Sequence, residues 1–461
     1  MFGFEINHPS DISNTKQLEN QIRGAILSGK LEAGDKLPPT RALAKDMQIA
    51  RNTVIQAYEQ LLAEGYLEAR EGSGTYVANI GKLPTPTRMS YVPRKDISKD
   101  KEVIAFDAGN PDVHSFPVTG WAKMLKEACL NADEESFFYH YFSGHPRLKK
   151  AIKDYVYRMK GILCEEDQIV IISGTSGGME LLAKCFKGRG ERIALEDPCI
   201  HFVKNIFADH KFELCPVKVD GQGMDIDSLR GLSDISLIYV VPSHQFPIGG
   251  VLPVSRRIAL LQYASEQNAY VIEDDYDSEF RYKGEAIQAM RNLDQERVIY
   301  LGSFSKIFAP SLRIGYMILP GHLADPIMEL LQESNLWVNT IDQLALAEYM
   351  EEFLMDKHIY KMRKLYENKR KQLIGSLTEA FGDQLTISGE FAGLHLLVTF
   401  DRDLTERDLM RMKTVGVEAD SVEEYTLVKG RHSNQLVLGY GALRPEQIKE
   451  GVSRLYKALS E

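Results

Sequence analysis

Lys306 is the side chain with the clearest capacity for covalent chemistry. It lies in the run LGSFSKIFAPSLRIG at residues 301–315, directly after an apolar segment that predicts a strand. A turn at the end of a strand can hold a lysine amine away from bulk water, and such an amine is a nucleophile toward aldehydes and ketones. The sequence therefore predicts carbonyl chemistry at Lys306.

Two further polar side chains fit the same chemistry. Asp274 ends a predicted strand at 270–273, and Tyr276 follows two residues later. The cofactor pyridoxal 5′-phosphate (PLP) requires a lysine for its Schiff base, an acid at its pyridine nitrogen, a donor to O3′ and a phosphate cradle. A carboxylate at Asp274 would keep the ring nitrogen protonated, and Tyr276 could donate to O3′.

A phosphate cradle is predicted where Gly174, Thr175 and Ser176 follow an apolar run and open a helix, because backbone N–H groups at a helix N-terminus bind phosphate. Ser303 and Arg313 could complete the cradle, since arginine offers a charged fork. Each feature alone has an ordinary explanation: a lone lysine is usually a solvated surface residue, and a Ser-Gly-Thr turn is usually only a turn. Their combination, in this order and at strand-sized and helix-sized intervals, favours a PLP site; no metal site is predicted.

The elements that must position these residues begin at about residue 104. Short apolar runs alternate there with amphipathic helical patterns, which indicates a largely parallel sheet with helices on both faces. The candidate strands are 169–172, 193–195, 237–241, 270–272, 298–301 and 316–319. From about residue 345, a long helix at 356–380 precedes a smaller α+β segment that ends in a strand at 436–440 and a last helix.

The N-terminal part of the chain has a different organisation. Apolar periodicity predicts a helix at 15–28, a short second helix with Thr40 as its N-cap, and a third helix at 51–64. Residues 66–77 then predict a hairpin around a glycine-rich tip. Periodicity alone leaves two alternatives open, a helix-turn-helix that reads DNA and a small protein-interaction module.

The outward-facing residues of this part suit DNA. A helix-turn-helix presents the start of its second helix to base edges in the major groove, where arginine can fork to guanine and asparagine can pair with adenine. Phosphate contacts and a wing that approaches the minor groove would position the domain. The candidate DNA-contacting residues are Arg41, Arg51, Asn52, Thr53, Gly72, Ser73 and Gly74.

Composition narrows the function classes. The net charge is −10, and residues 1–80 hold eight Lys and Arg against ten Asp and Glu, so a DNA function must depend on where the basic residues lie. The five cysteines are scattered without CxxC spacing, which favours reduced thiols and a cytoplasmic location. No apolar run is long enough to span a bilayer, and no signal peptide is predicted, so no membrane association is expected.

Four segments carry a resemblance to GntR-type repressors. They are LEAGDKLPPTR at 31–41, RNTV at 51–54, EGYL at 64–67 and GSGTYV at 72–77. The match covers essentially all of residues 12–78. The resemblance implies a winged helix-turn-helix in which Arg41, Arg51, Asn52, Thr53 and the wing glycines contact double-stranded DNA.

Residues 104–455 resemble the aminotransferase-like domain of MocR/GabR-type regulators. The most specific segments are EDDYDSEFRY at 273–282 and PSHQFPIG at 242–249. The second segment stands where true aminotransferases usually carry Pro-Asn…Asn-Pro-Thr-Gly, so the asparagine that normally touches O3′ is missing, which speaks against a fast transaminase. The resemblance implies PLP-dependent transferase fold type I and a head-to-tail homodimer in which Tyr139 reaches the partner's phosphate.

Two departures from that family affect the site. Ile200 stands where an aromatic residue often stacks on the pyridine ring, so stacking is weaker or His201 or Phe202 substitutes. The strand at 436–440 lacks the arginine that binds a substrate carboxylate in aminotransferases, and Arg431 is the nearest upstream candidate. An amino-acid effector is therefore in doubt, and PLP itself could be the signal.

These patterns predict a winged helix-turn-helix at 1–79, a linker at 80–103, a PLP-binding large domain at 104–345 and a small α+β subdomain at 346–461. The preferred function is a transcriptional regulator that senses PLP or an amino compound through aldimine chemistry at Lys306. The rival is a genuine aminotransferase with an appended DNA-binding domain. A DNA-binding protein that has lost PLP is disfavoured, because each major cofactor contact has a matching residue.

Overall fold

A computed structural model describes residues 3–7, 11–81, 103–284, 287–334 and 336–460. The chain divides into two compact units, Met1–Ser98 and Lys99–Glu461, each with its own hydrophobic core. Most of the predicted linker, residues 82–102, lies outside the described residues.

The first unit is a bundle of three helices with a hairpin. Its elements are α1 Asn14–Leu27, α2 Thr40–Asp46, α3 Arg51–Ala63, β1 Leu67–Arg70 and β2 Gly74–Val77. Leu18, Ile22 and Ile26 recur at helical spacing along α1 and are buried against α3. The prediction that Thr40 caps α2 is wrong: Thr40 is the first helical residue, and Pro39 precedes it without a side-chain cap.

The hairpin forms because its tip tolerates unusual backbone angles. Strands β1 and β2 pair antiparallel, with Leu67 opposite Val77 and Arg70 opposite Gly74. Gly72 and Gly74 have φ angles of 70° and 123°, which glycine adopts far more readily than residues with a side chain. The tip therefore lies where the sequence places it, although β2 already begins at Gly74.

The second unit contains most of the chain. Its helices are α4 Val118–Asn131, α5 Pro146–Lys160, α6 Gly174–Phe186, α7 His201–Asp209, α8 Ile226–Arg230, α9 Val254–Glu266, α10 Gly321–Glu333, α11 Thr340–Glu351, α12 Leu354–Phe381, α13 Glu406–Thr414, α14 Val422–Tyr425 and α15 Pro445–Leu459. Its strands are β3 Ile104–Ala105, β4 Ile169–Ile172, β5 Arg192–Asp197, β6 Glu213–Asp220, β7 Gly223–Met224, β8 Leu237–Val240, β9 Tyr270–Asp275, β10 Val298–Ser303, β11 Gly315–Ile318, β12 Leu385–Ser388, β13 His395–Phe400, β14 Val417–Glu418, β15 Asp420–Ser421 and β16 Gln435–Gly439.

The main sheet has eight strands in the order β4-β11-β10-β9-β8-β5-β6-β7. Strands β10, β9, β8, β5 and β6 are parallel, whereas β11 runs antiparallel to both β10 and β4. All six predicted strands are present. The carboxyl ends of the five parallel strands and of β4 share one edge of the sheet, where α/β proteins of this kind bind ligands.

Strands β6 and β7 are absent from the strands predicted above. Strand β6 lies beside the edge of the sheet, its exposed and buried residues roughly alternate, and it contains Pro216. It therefore lacks the continuous apolar run that identifies a strand buried on both faces.

The small subdomain is built on the antiparallel sheet β12-β13-β16-β15, packed against α12 and α15. Strand β3 pairs with β14 of this subdomain rather than with the main sheet. The Phe106 amide donates to the Glu418 carbonyl oxygen at 2.8 Å, and the Gly439 amide donates to the Phe106 carbonyl oxygen at 2.9 Å. The segment at 104–106 thus packs with the C-terminal subdomain, although the predicted boundaries assigned it to the large domain.

Helix length and polarity determine whether a helix could span a membrane. Within the described ranges, no helix is both long and apolar enough to traverse a bilayer.

Candidate functional site

A cavity of about 370 Å³ opens at the carboxyl edge of the main sheet. It is lined by Asp107, Ala108, Gly109, Thr175, Ser176, Ile200, Phe202, Phe246, Asp274, Tyr276, Ser303, Ser305, Lys306, Pro310, Arg313 and Tyr425. Seven of the nine residues predicted to bind the cofactor belong to this lining. A mostly apolar cleft with a few convergent polar groups is the usual form of a small-molecule site.

Lys306 projects into this cavity from the turn after β10. Its ammonium donates a hydrogen bond to the Gly109 carbonyl oxygen. Desolvation lowers the pKa of Lys306, while the carboxylates of Asp107, Asp277 and Asp274 oppose that effect. A lysine whose pKa is lowered is more often neutral and nucleophilic near pH 7.

Asp274 lies on β9 with its carboxyl group in the same cavity. The Tyr239 hydroxyl donates to Oδ2 at 2.8 Å, whereas the buried Oδ1 has no hydrogen-bond partner among the described residues. Burial raises the pKa of Asp274 to about 7. A buried polar atom without a partner is costly, so a ligand that brings an N–H group to Oδ1 fits this place.

Tyr276 lies at the centre of a buried hydrogen-bond network. Its hydroxyl is 3.2 Å from both His244 Nδ1 and the His244 carbonyl oxygen. His244 Nδ1 lies 2.9 Å from Asp277 Oδ2, and the His244 ring is 4.7 Å from that of His395. Sequence reasoning missed the roles of these three residues, although two of them lie in the motifs at 242–249 and 273–282.

The predicted cradle surrounds the start of α6. Gly174 has a φ of 71°, and a side-chain carbon there would lie 3.1 Å from the Arg313 guanidinium. Arg313 Nη2 donates to the Ser173 carbonyl oxygen and to Ser176 Oγ, both at 2.8 Å. Ser303 Oγ accepts from the Ser305 amide at 3.1 Å. These groups place an arginine and a helix N-terminus at one end of the cavity, as an anion site requires.

Three predicted residues lie away from the cavity wall. Tyr139 is 79% exposed and its ring packs against Trp337 at 5.0 Å. Arg431 is exposed in the segment before β16. His201 stacks on Tyr425 at 4.6 Å outside the lining, so of the two suggested substitutes for a stacking aromatic, Phe202 is the one in the cavity.

The candidate DNA surface lies in the first unit. Arg41, Arg51 and Asn52 are exposed and Thr53 is half-buried at the start of α3. Arg51 Nε is 3.4 Å from Thr40 Oγ1, which brings the starts of α2 and α3 together. The wing residues 72–74 are exposed at the hairpin tip. The predicted residues thus occupy the two parts that a winged helix-turn-helix uses against DNA.

In cofactor-free protein, the contribution of Asp274 to stability is expected to fall as pH rises from about 4 to 7. An unfolded aspartate has a pKa near 3.9, whereas burial raises the pKa of Asp274 to about 7 in the folded protein. The protonated carboxyl therefore contributes stability that is full below about pH 4 and is lost as pH passes 7, by roughly 4 kcal/mol. Asp274→Asn should remove the contribution of this one carboxyl group, so its melting temperature should exceed the parent's by more at pH 8 than at pH 5. The exposed Asp383→Asn is the control, and a gap that is independent of pH contradicts the assignment.

The first unit is a three-helix domain with a wing, of the kind that binds DNA. The second unit has a lysine-bearing cavity at the carboxyl edge of a parallel sheet. Together they define a class of protein, DNA-binding regulators that carry an aminotransferase fold. Residues 14–77 match the family "Bacterial regulatory proteins, gntR family", and residues 101–454 match "Aminotransferase class I and II". The chain belongs to the MocR-type family of HTH transcriptional regulators, which joins these two domains.

Relatives named as regulators match almost the whole chain. The probable rhizopine catabolism regulatory protein MocR of Rhizobium meliloti is 34% identical over 98% of this chain and 95% of its own length. The pyridoxine biosynthesis transcriptional regulator PdxR of Corynebacterium glutamicum is 30% identical over 99% of this chain and 98% of its own length. The resemblance to MocR-type regulators and the assignment as a transcriptional regulator are confirmed.

Solved structures match the second unit. Kynurenine aminotransferase of Pyrococcus horikoshii superposes with a TM-score of 0.72 at 25% identity, covering 78% of this chain and 92% of that one. A multiple substrate aminotransferase of Thermococcus profundus gives a TM-score of 0.72 at 26% identity with the same coverage. The predicted fold, a GntR-type domain followed in the sequence by an aminotransferase domain, is confirmed.

Proposed function

We propose that the second unit binds PLP at Lys306 and that PLP, or an amine that reacts with it, changes how the first unit binds DNA. The observation that carries the proposal is Oδ1 of Asp274, which has no hydrogen-bond partner within the described part of the chain and lies in the same cavity as the Lys306 amine. A protonated pyridine nitrogen supplies the donor that this oxygen lacks. PLP dependence of the related aminotransferase fold supports the same cofactor.

When bound, PLP supplies an aldehyde that condenses reversibly with a primary amine and releases water. Lys306 provides the resident amine, and the Gly109 carbonyl oxygen orients it. Asp274 would hold the proton at the pyridine nitrogen, and Tyr276 would contact O3′.

The start of α6 suits the phosphate. Thr175 and Ser176 lie at this helix N-terminus, Arg313 donates to Ser176 Oγ, and Ser303 also lines the cavity. The α6 N-terminus and the Arg313 guanidinium both favour negative charge there. Gly174 keeps that approach open, because a side chain would meet the guanidinium.

The DNA-binding half of the proposal concerns α3 and the wing. Arg51, Asn52 and Thr53 read base edges from the start of α3, while Arg41 and the wing residues Gly72, Ser73 and Gly74 contact the backbone or the minor groove. The exposure of these residues supports the assignment.

We also propose that two chains assemble head-to-tail through their second units. Three consecutive aromatic residues, Phe137, Phe138 and Tyr139, are 65%, 71% and 79% exposed. Exposed apolar clusters of this kind mark protein interfaces. Such a dimer would bring Tyr139 to the partner's phosphate site and would present two DNA readers to paired half-sites.

A second candidate function is slow amino-group transfer, which the meeting of Lys306, Asp274 and Tyr276 in one cavity favours. Arg431, the candidate for a substrate carboxylate, does not line that cavity. A steady-state turnover assay across amino donors and keto acids separates the two functions, since a regulator needs no turnover.

Arg51→Ala is expected to lose sequence discrimination, by about 1–3 kcal/mol at one base pair if the contact is bidentate. Arg41→Ala should weaken specific and non-specific DNA alike, because phosphate contacts carry no sequence information. The measurement is titration of promoter and scrambled fragments, with and without PLP.

Lys30→Ala provides the matched control, because Lys30 is an exposed cation of the same unit just beyond α1. If neither Arg51→Ala nor Arg41→Ala changed the affinity for promoter DNA, the DNA-contact assignment would be refuted. A parent protein whose promoter affinity is the same with and without PLP or amines would refute the sensing proposal.

A further inference from the structure

The charged groups around the cavity do not all have a role in the proposed function. The charged residues of its lining are Asp107, Asp274, Lys306 and Arg313. Lys306 and Asp274 are assigned to the aldehyde and to the pyridine nitrogen. Arg313 is held by Ser173 and Ser176 at the phosphate end. Asp107 is therefore the one charged residue of the lining to which the proposed function gives no role.

Asp107 lies close to the amine at which an effector would react. A side-chain carbon built on Gly109 would lie 2.8 Å from Asp107 Oδ1 and 3.8 Å from Lys306 Nζ. The carboxylate and the amine therefore border the same small volume. Asp107 is also the first of three carboxylates that favour the charged form of Lys306.

The Asp107 carboxylate is held in place but stays accessible. Its Oδ1 accepts from the Gly109 amide at 2.5 Å, and the Asn110 side chain donates to Oδ2. The residue is nevertheless exposed. Its chain is held where it passes β16, because the Gly439 amide of β16 donates to the carbonyl oxygen of the preceding residue, Phe106, at 2.9 Å.

The wall beside Asp107 is apolar. Ala108, Phe246 and Tyr425 belong to one buried cluster, and that cluster includes Val437 of β16. A carboxylate placed against this wall would meet a second negative charge at Asp107, with both lining cations already engaged. An ammonium group would meet an opposite charge instead.

We propose that Asp107 is the recognition site for the cationic end of an amine effector, and that the cavity selects diamines over α-amino acids. The inference rests on the proposed function, since it names the effector class of the same cavity. Asp107 acts by attracting and orienting the second ammonium group while the first amine approaches the site of Lys306.

Three probes that differ by one group test the proposal on full-length protein loaded with PLP. Putrescine has two amines, butylamine lacks the second one, and L-ornithine adds a carboxylate to putrescine. The change in cofactor absorbance gives the concentration of each that half-saturates the protein. Putrescine should bind about fivefold more tightly than butylamine, as expected for an exposed ion pair. L-Ornithine should bind on the order of tenfold more weakly than putrescine, because its carboxylate loses water without a partner.

Asp107→Asn removes the charge and keeps an oxygen that can accept from the Gly109 amide. In this variant the preference for putrescine over butylamine should fall to about one, whereas the exposed Asp383→Asn should keep it. If the asparagine variant does not fold, the order of the three probes on the parent protein decides.

The outcomes separate the two proposals. Absence of a PLP absorbance band would refute the proposed function itself. A normal band together with tighter binding of L-ornithine than of putrescine would overturn the effector class alone. Persistence of the putrescine preference in Asp107→Asn, or no response to any of the three amines, would also overturn it.

Discussion

Lys306→Ala protein is expected to bind promoter DNA and to lose its response to PLP and amines. An effector shifts an equilibrium only by its different affinity for the two states, and the Lys306 amine is the group that would join the cofactor covalently. Effector couplings typically change affinity by about 5- to 150-fold, and that whole factor should vanish. The fold and the DNA surface should persist, since Arg51 and its neighbours lie in a separate unit.

Promoter titration by fluorescence anisotropy, with and without PLP, measures this loss directly. Lys184→Ala is a suitable control, because Lys184 is an exposed residue of α6. Borohydride reduction followed by peptide mass spectrometry should label Lys306 in the parent. A label on another lysine, or an effector response that survives in Lys306→Ala, would show that the sensor lies elsewhere.

Substitution of the two adjacent aspartates of β9, Asp274 and Asp275, should affect different properties, PLP binding for the first and folding stability for the second. Neighbouring side chains of a strand point to opposite faces. Asp274 faces the cavity, whereas Asp275 lies 3.0 Å from Lys160 Nζ and accepts from the Tyr300 hydroxyl at 2.6 Å. Asp275→Ala should therefore cost roughly 3–5 kcal/mol of unfolding free energy, as removing one partner of a buried ion pair does.

Asp274→Ala should leave the fold stable and weaken PLP binding on the order of 10- to 100-fold, the range for a lost hydrogen bond to a charged group. Urea unfolding of the cofactor-free proteins measures stability, and absorbance titration measures PLP affinity. Equal PLP affinities for the two alanine variants at a temperature where both are folded would refute the placement of Asp274.

Strands buried on both faces were predictable because their signal is local. The runs at 169–172 and 237–241 are continuous and apolar, and both form strands of the main sheet. Strand β6 alternates and borders solvent, so its sequence does not distinguish it from a loop. The three-residue segment at 104–106 joins the small subdomain through pairing with residues 417–418, a contact across about three hundred positions that no local pattern reports.

Some residues of the candidate site were likewise predictable from local sequence, and others were not. Lys306, Asp274 and the start of α6 follow strands directly, so their positions at one sheet edge follow from the topology. The His244 contact with Asp277 and the closeness of Asp107 to Lys306 depend on side-chain packing between distant segments. Whether His201 or Phe202 enters the cavity likewise depends on how α7 begins, and a register difference of one residue decides it.

Strand β3 lies between residue 103 and the segment that contacts Lys306. Strand β3 begins at Ile104, directly after the linker predicted at 80–103. Six residues after residue 103, the Gly109 carbonyl oxygen holds the Lys306 amine. Force applied along the backbone at residue 103 would thus act on the pairing of β3 with β14 and, through it, on the reactive nitrogen.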